Sequence, residues 1–318
     1  MTHRAFILLA LVVSVLPLPA QTRTPDGHPD LQGIWTNATV TPLERPPQFA
    51  AKPTLTDAEA AVFEKQSAAE LASVDGKSEH PLLAAAGSNG TGGYNILFID
   101  RGSELTRVDG VKRTSLIIDP PDGKIPPLTP EGRKSFRMEG FGRFDSIKDR
   151  PLSERCLLGF GSTAGPPMLP VLYNNNYQIV QTPDYVMILV EMVHDARIIR
   201  MHGQHPDPSV RFWLGDSIGH WEGDTLVVET TNFSKQVRFH GSSEHLRVIE
   251  RFTRTAPNMI EYRATIDDPT VFTKPWTIAY SFNATKGPIY EYACHEGNYA
   301  EADILGGARK RDAAAAQK

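Results

Sequence analysis

The chain has 318 residues, of which 25 are glycine and 25 proline, with 40% apolar residues and a formal net charge of -4. Residues that interrupt regular structure take roughly one position in six, which argues against a helical bundle, a coiled coil or a helical repeat array. No basic excess exists to neutralise a phosphate backbone or an anionic membrane, so nucleic acid is not an expected partner, and the apolar content suffices for one sizeable core.

In chain order, His3 and Arg4 precede the apolar run 5–16, which is followed by Pro17-Leu18-Pro19-Ala20. This is the layout of a secretory signal over residues 1–20, cut near Ala20. The run is shorter than the ~20 residues of a membrane span, and no later run reaches that length. A soluble periplasmic or secreted chain without a membrane span is expected. Residues 21–172 form a loop-rich N-terminal region packed on a sheet. Within it, Leu31-Gln32-Gly33-Ile34-Trp35 predicts a first strand. Thr56-Asp57-Ala58-Glu59 has the capping-box pattern and predicts an amphipathic helix to about residue 72. Residues 87–93 are a glycine-rich loop. Apolar runs at 94–99 and 113–119 follow, the second closed by the turn sequence Pro120-Pro121-Asp122-Gly123. Thr129-Pro130-Glu131 starts a second short helix, with threonine as cap and proline at the first helical position. Residues 142–172 are expected to be irregular.

Residues 173–305 predict an antiparallel β domain. Strand-like runs recur at 177–181, 185–201, 224–233, 246–253, 259–266, 276–282 and 289–295, joined by connections with turn chemistry such as Gly223-Asp224, Pro257-Asn258 and Lys286-Gly287. The expected fold is mainly β, an antiparallel meander closed into a barrel or folded as a sandwich, with one or two short helices in the irregular N-terminal region. Residues 306–318 are expected to be a disordered tail.

Alternation assigns the faces. Ile260, Tyr262, Ala264 and Ile266 share one side, and Trp276, Ile278, Tyr280 and Phe282 form a similar row. A strand over 185–201 would put His194 on the apolar face with Val186, Ile188, Val190, Met192, Ala196 and Ile198. Glu191, Asp195 and Arg197 would then pair along the opposite face. The only two cysteines, Cys156 and Cys294, read first as one disulfide in an exported chain. The competing reading is a nucleophilic thiol in Cys294-His295-Glu296, but a strand there would turn His295 away from that thiol.

Seven of the ten histidines fall at or after 194: His194, His202, His205, His220, His240, His245 and His295. Imidazole serves as general base and as metal ligand. Two histidines and one carboxylate, for example His194, His220 or His295 with Glu222 or Glu296, would suit a divalent metal, though the spacing matches no metal motif. Gly219-His220-Trp221-Glu222-Gly223-Asp224 places an imidazole, an indole and two carboxylates around one turn. It reads either as a hairpin tip or as an acid–base pair beside an aromatic platform. Glu291 and His295 would share a strand face as a proton-transfer pair, or His295 would be a buried histidine beside the disulfide.

The segments Pro29-Asp30-Leu31-Gln32-Gly33-Ile34-Trp35, 221–233 and 290–299 resemble a family of exported bacterial proteins common in soil organisms. That resemblance implies export and a β-rich fold and transfers no chemistry. Gly33-Ile34-Trp35 is similar to the opening of the first strand in lipocalin-like barrels. The expected function is binding of a small apolar or carbohydrate-like molecule in a β pocket entered near His194, Trp221 and His295, with His220 and Tyr292 also on the ligand. The alternative is a hydrolase or lyase acting on a glycan or small secondary metabolite. In that reading His194 or His295 is the base, and a carboxylate from Glu222, Asp224, Glu291 or Glu296 is its partner, with or without a metal.

Overall fold

A computed structural model describes residues 23–73, 99–137, 144–160, 162 and 165–317. The predicted secretory signal, the loop at 87–93 and all but the last residue of the run at 94–99 lie outside them. The described strands are β1 (Gly33–Thr36), β2 (Thr54–Leu55), β3 (Arg107–Val108), β4 (Val111–Arg113), β5 (Ile117–Asp119), β6 (Asn176–Gln181) and β7 (Tyr185–Val190). They continue with β8 (Ala196–Arg200), β9 (Asp216–Glu222), β10 (Thr225–Thr231), β11 (Arg247–Ala256), β12 (Met259–Asp267) and β13 (Trp276–Ala284). The helices are α1 (Asp57–Ser73), α2 (Pro130–Arg137) and α3 (Ala300–Ala316).

β1 and β6 to β13 close into a barrel in the order β1-β6-β7-β8-β9-β10-β11-β12-β13, with β13 returning to β1 through Trp35 against Ala284 and Thr36 against Asn283. Strand direction must be restored after one circuit, so a closed ring of nine strands needs an odd number of parallel joins. Here the parallel join is β8 with β9, and it is short: Ile199 against Ser217 and Arg200 against Ile218. The other joins are antiparallel.

The amphipathic rows behave as their period requires. Along β12, Ile260, Tyr262, Ala264 and Ile266 are buried while the intervening residues are half-exposed. β13 is buried on both faces from Ile278 to Phe282, because the N-terminal region covers its outer side, where Thr106 Oγ1 accepts from Ser281 N (2.8 Å). Its outer edge is shared between β5, at Thr277 and Ile278, and β1. The small sheet β2-β4-β3 and α1 complete this layer. Both predicted caps form: Glu59 N donates to Thr56 Oγ1 (3.3 Å) while Thr56 N donates to Glu59 Oε2 (3.0 Å), and Gly132 N donates to Thr129 Oγ1 (2.9 Å).

The structure corrects three expectations. The run 185–201 is not one strand: Met192–His194 form a tight 3-10 turn in which Val193 and His194 take φ of 60° and 49°. That reversal shifts the inward parity, so Arg197 and Ile199 point into the barrel while His194 and Ile198 are exposed. The run 289–295 forms no strand: it leaves the sheet at Gly287-Pro288, and both edges of β13 are already occupied. Residues 306–316 belong to helix α3, in keeping with the high helix propensity of alanine, and Arg309 ties the helix back to the Phe144 and Asp145 carbonyls.

Candidate functional site

Strand polarity divides the barrel into two ends. β7 finishes and β9 starts at one end, the mouth, which carries the 191–195 turn. β9 finishes at the other, the floor, which carries the Glu222–Thr225 hairpin. The floor is closed by residues 23–31. His28 stacks on Trp221 (4.6 Å between centroids, 6° between planes), Arg23 pairs with Asp224 (3.0 Å), and Gln181 on the far side bonds Pro29 O and Leu31 N. Leu31 is buried beneath them, its carbonyl accepts from Trp35 Nε1 (3.0 Å), and Arg254 lies over the Trp35 ring while also bonding Asp30 O.

The interior is filled. Arg197 and Glu250 form a bidentate pair (2.6 and 3.0 Å) with side-chain exposures of 2% and 0%. Tyr262 Oη donates to Glu250 (2.9 Å), and Asn37 Nδ2 donates to Tyr177 Oη (3.2 Å) and Tyr280 Oη (3.4 Å). The backbone of Met168 plugs this network from the mouth side, its N–H donating to Tyr262 Oη (3.1 Å) and its carbonyl accepting from Tyr280 Oη (2.5 Å). Burial holds all three tyrosine pKa values above the ordinary value, so their hydroxyls keep their protons.

With floor and interior closed, concave space lies at the mouth and along the wall. The mouth cleft, about 690 Å³, is bounded by residues 148–160 and 235–240. Leu158, Phe160, Leu169 and Phe239 supply apolar surface; Lys148, Arg150, Lys235 and Arg238 supply positive charge. Arg150 is held bidentately by Glu154 (2.9 Å twice) and Lys235 lies 3.4 Å from Glu244. Lys148 and Arg238 make no ion pair among the described residues. His240, on the same wall, has its pKa lowered by burial, with Glu44 opposing, and presents a neutral imidazole at pH 7.

The residues singled out from the sequence are divided between the two ends. His220, Trp221, Glu222 and Asp224 sit at the floor. Gly223, at φ +60°, takes the first central position of the two-residue turn, as a type II′ hairpin requires. Arg251 donates to Glu222 (2.6 Å) and His220 lies 3.2 Å away, which holds the Glu222 carboxyl below the ordinary carboxylate range, the wrong direction for a general acid. His194 is exposed at the mouth. His295 is exposed too, and belongs to the mouth end because Cys294 is bridged to Cys156 (Cα–Cα 5.8 Å), three residues before Gly159, whose N–H donates to Asp195 (3.3 Å). The disulfide removes the nucleophilic thiol from consideration. Glu291 and Tyr292 line a third cleft, of about 440 Å³, beside that bridge. A single pocket entered near His194, Trp221 and His295 is therefore not formed, because the barrel separates Trp221 from the two histidines. Among the described residues no group of three His, Cys, Asp or Glu side chains is placed to hold a metal ion.

Lys148, Arg238 and Phe160 were not predicted, since they lie in irregular segments without periodicity, and His240 was marked only as one of seven late histidines. The only sequence signal is the mixed basic and aromatic run Lys235-Gln236-Val237-Arg238-Phe239-His240. No described helix is long and apolar enough to cross a membrane. Comparison with known proteins gave no matching family model and no matching curated relative.

Proposed function

We propose that this chain is an exported binding protein that takes a small apolar molecule carrying an anionic group at the barrel mouth. The observation that carries the reading is the mouth cleft itself: an apolar wall of Leu158, Phe160, Leu169 and Phe239, rimmed by Lys148 and Arg238, whose charges have no partner among the described residues. An apolar body replaces water on the wall, and a carboxylate satisfies the two cations. The Cys156–Cys294 disulfide fits an oxidising compartment, and the resemblance to exported proteins agrees with it. Of the carboxylates considered for a hydrolase, Glu222 and Asp224 lie at the floor, away from His194 and His295 at the mouth.

Thermal unfolding with decanoate and indole-3-acetate, each against its neutral counterpart (decanol, indole-3-acetate methyl ester), tests this reading. Ligand at a hundred times its Kd adds about 2.7 kcal/mol of stability. The acids are expected to raise Tm, the neutral analogues to do so far less, and Lys148→Ala/Arg238→Ala to abolish the difference. Equal shifts with neutral analogues, or none with any acid, would refute it.

A further inference from the structure

A second cleft, of about 500 Å³, opens on the barrel wall where β8 meets β9. The parallel join covers only Ile199 and Arg200, so residues 196–198 have no partner on β9 and the two strands splay toward the mouth. Three aromatic side chains that line this gap are exposed: Tyr185 (52%), Phe212 (42%) and Trp213 (38%). Among the described residues none of the three stacks on another ring, so their faces remain available.

The charges around the cleft decide what those faces would accept. Arg197 is committed to Glu250 inside the barrel. Arg200 is committed to Asp216 (2.8 and 3.0 Å), whose carboxylate also lies 2.7 Å from His205 Nδ1. Asp195 is left: it accepts the Gly159 N–H (3.3 Å) and has no cation within ion-pair distance among the described residues. The unpaired charge here is Asp195, whereas at the mouth Lys148 and Arg238 outnumber Asp149, so the two clefts favour opposite ligands.

We propose that the seam cleft binds an organic ammonium cation, held against Phe212 and Trp213 and neutralised by Asp195, with Tyr185, paired with Arg200, farther along the cleft. Aromatic faces attract a weakly hydrated cation through the ring quadrupole, and quaternary ammonium groups are recognised in this way. The state of Asp195 agrees: burial pushes its pKa up to about 6, against the Gly159 hydrogen bond and the His194 charge, as for a carboxylate short of a counter-ion. This site does not depend on the reading of the mouth cleft.

The test is titration of the full chain at pH 7.5 with choline and with its neutral carbon isostere, 3,3-dimethyl-1-butanol, followed by NMR and calorimetry. Choline is expected to saturate and the isostere to bind at least about tenfold more weakly. Trp213→Ala and Asp195→Asn are each expected to weaken choline binding by about fivefold or more, with thermal unfolding confirming that each variant folds. Equal binding of the isostere, no saturable choline binding at millimolar concentration, or unchanged choline affinity in both folded variants would overturn the proposal. The isostere comparison needs no variant, so it stays decisive even where a substitution unfolds the chain.

Discussion

Glu250→Gln is the most informative single perturbation of the barrel. It preserves the shape of the side chain and an acceptor for Tyr262, yet it leaves the guanidinium of Arg197, 2% exposed, without the carboxylate that neutralises it. Breaking a buried pair from one side costs about 3–5 kcal/mol, a large share of the roughly 5–15 kcal/mol that holds a native domain together. Removing both charges, as in Arg197→Met/Glu250→Gln, should recover most of that loss, because no unpaired ion is then buried. The assay is urea unfolding followed by tryptophan fluorescence with the disulfide intact, run for wild type, both single variants and the double variant. A coupling energy of at least ~2 kcal/mol is expected from the cycle. If Glu250→Gln costs under ~1 kcal/mol, or if the two single losses simply add, the pair is not the buried, mutually dependent contact argued above.

Four further outcomes follow from the bridge, Asp195 and Gly223. Reducing the bridge, or replacing Cys156 and Cys294 by serine, frees a connection between residues 138 apart and should lower stability by up to about 5 kcal/mol, measured by denaturation with and without reductant. Asp195 has a folded pKa of about 6, above its ordinary 3.8, so its contribution to stability is complete below pH ~4 and lost as pH rises through about 6. Asp195→Asn should flatten that part of the wild-type stability curve, and an unchanged slope would place the titration elsewhere. In the opposite direction, choline binding at the seam should weaken as pH falls below about 6, because protonated Asp195 no longer neutralises the ammonium. The charged and titratable neighbours there are His194 beside Asp195, the Arg200–Asp216–His205 group and the Arg197–Glu250 pair, so the Asn variant is the control that isolates Asp195. Gly223→Ala puts a Cβ into open space at φ +60°, so its cost should be conformational only, about 1–2 kcal/mol by thermal unfolding.

Much of the fold was legible because it is local. The caps at Thr56 and Thr129, the period-two rows of β12 and β13, and the Gly223-Asp224 hairpin rest on interactions within a few residues, where propensity and hydrogen-bond geometry decide. The cysteine pairing was legible for a different reason, since two cysteines allow one bridge. The misread run 185–201 carried a warning in its length, because strands usually span about 3–10 residues. Val193, a β-branched residue at positive φ, gave no sign that the chain turns there; the turn is imposed by β7 and β8 pairing with each other.

The clefts belong to the other category. Lys148 and Arg238 line one cleft only because separate irregular segments are carried to one end of the barrel. The Arg197–Glu250 pair joins residues 53 apart in sequence, and no pattern along the chain announces it. The sequence by itself determined strand periods, caps, the turn and the bridge, all of which depend on short-range sterics or on a count of cysteines. Tertiary structure alone decided that nine strands close, that the closure requires a parallel seam, that no edge remains for 289–295, and that the candidate residues separate to opposite ends. Those outcomes follow from strand direction around a ring, a property of the whole sheet that no local run of residues contains.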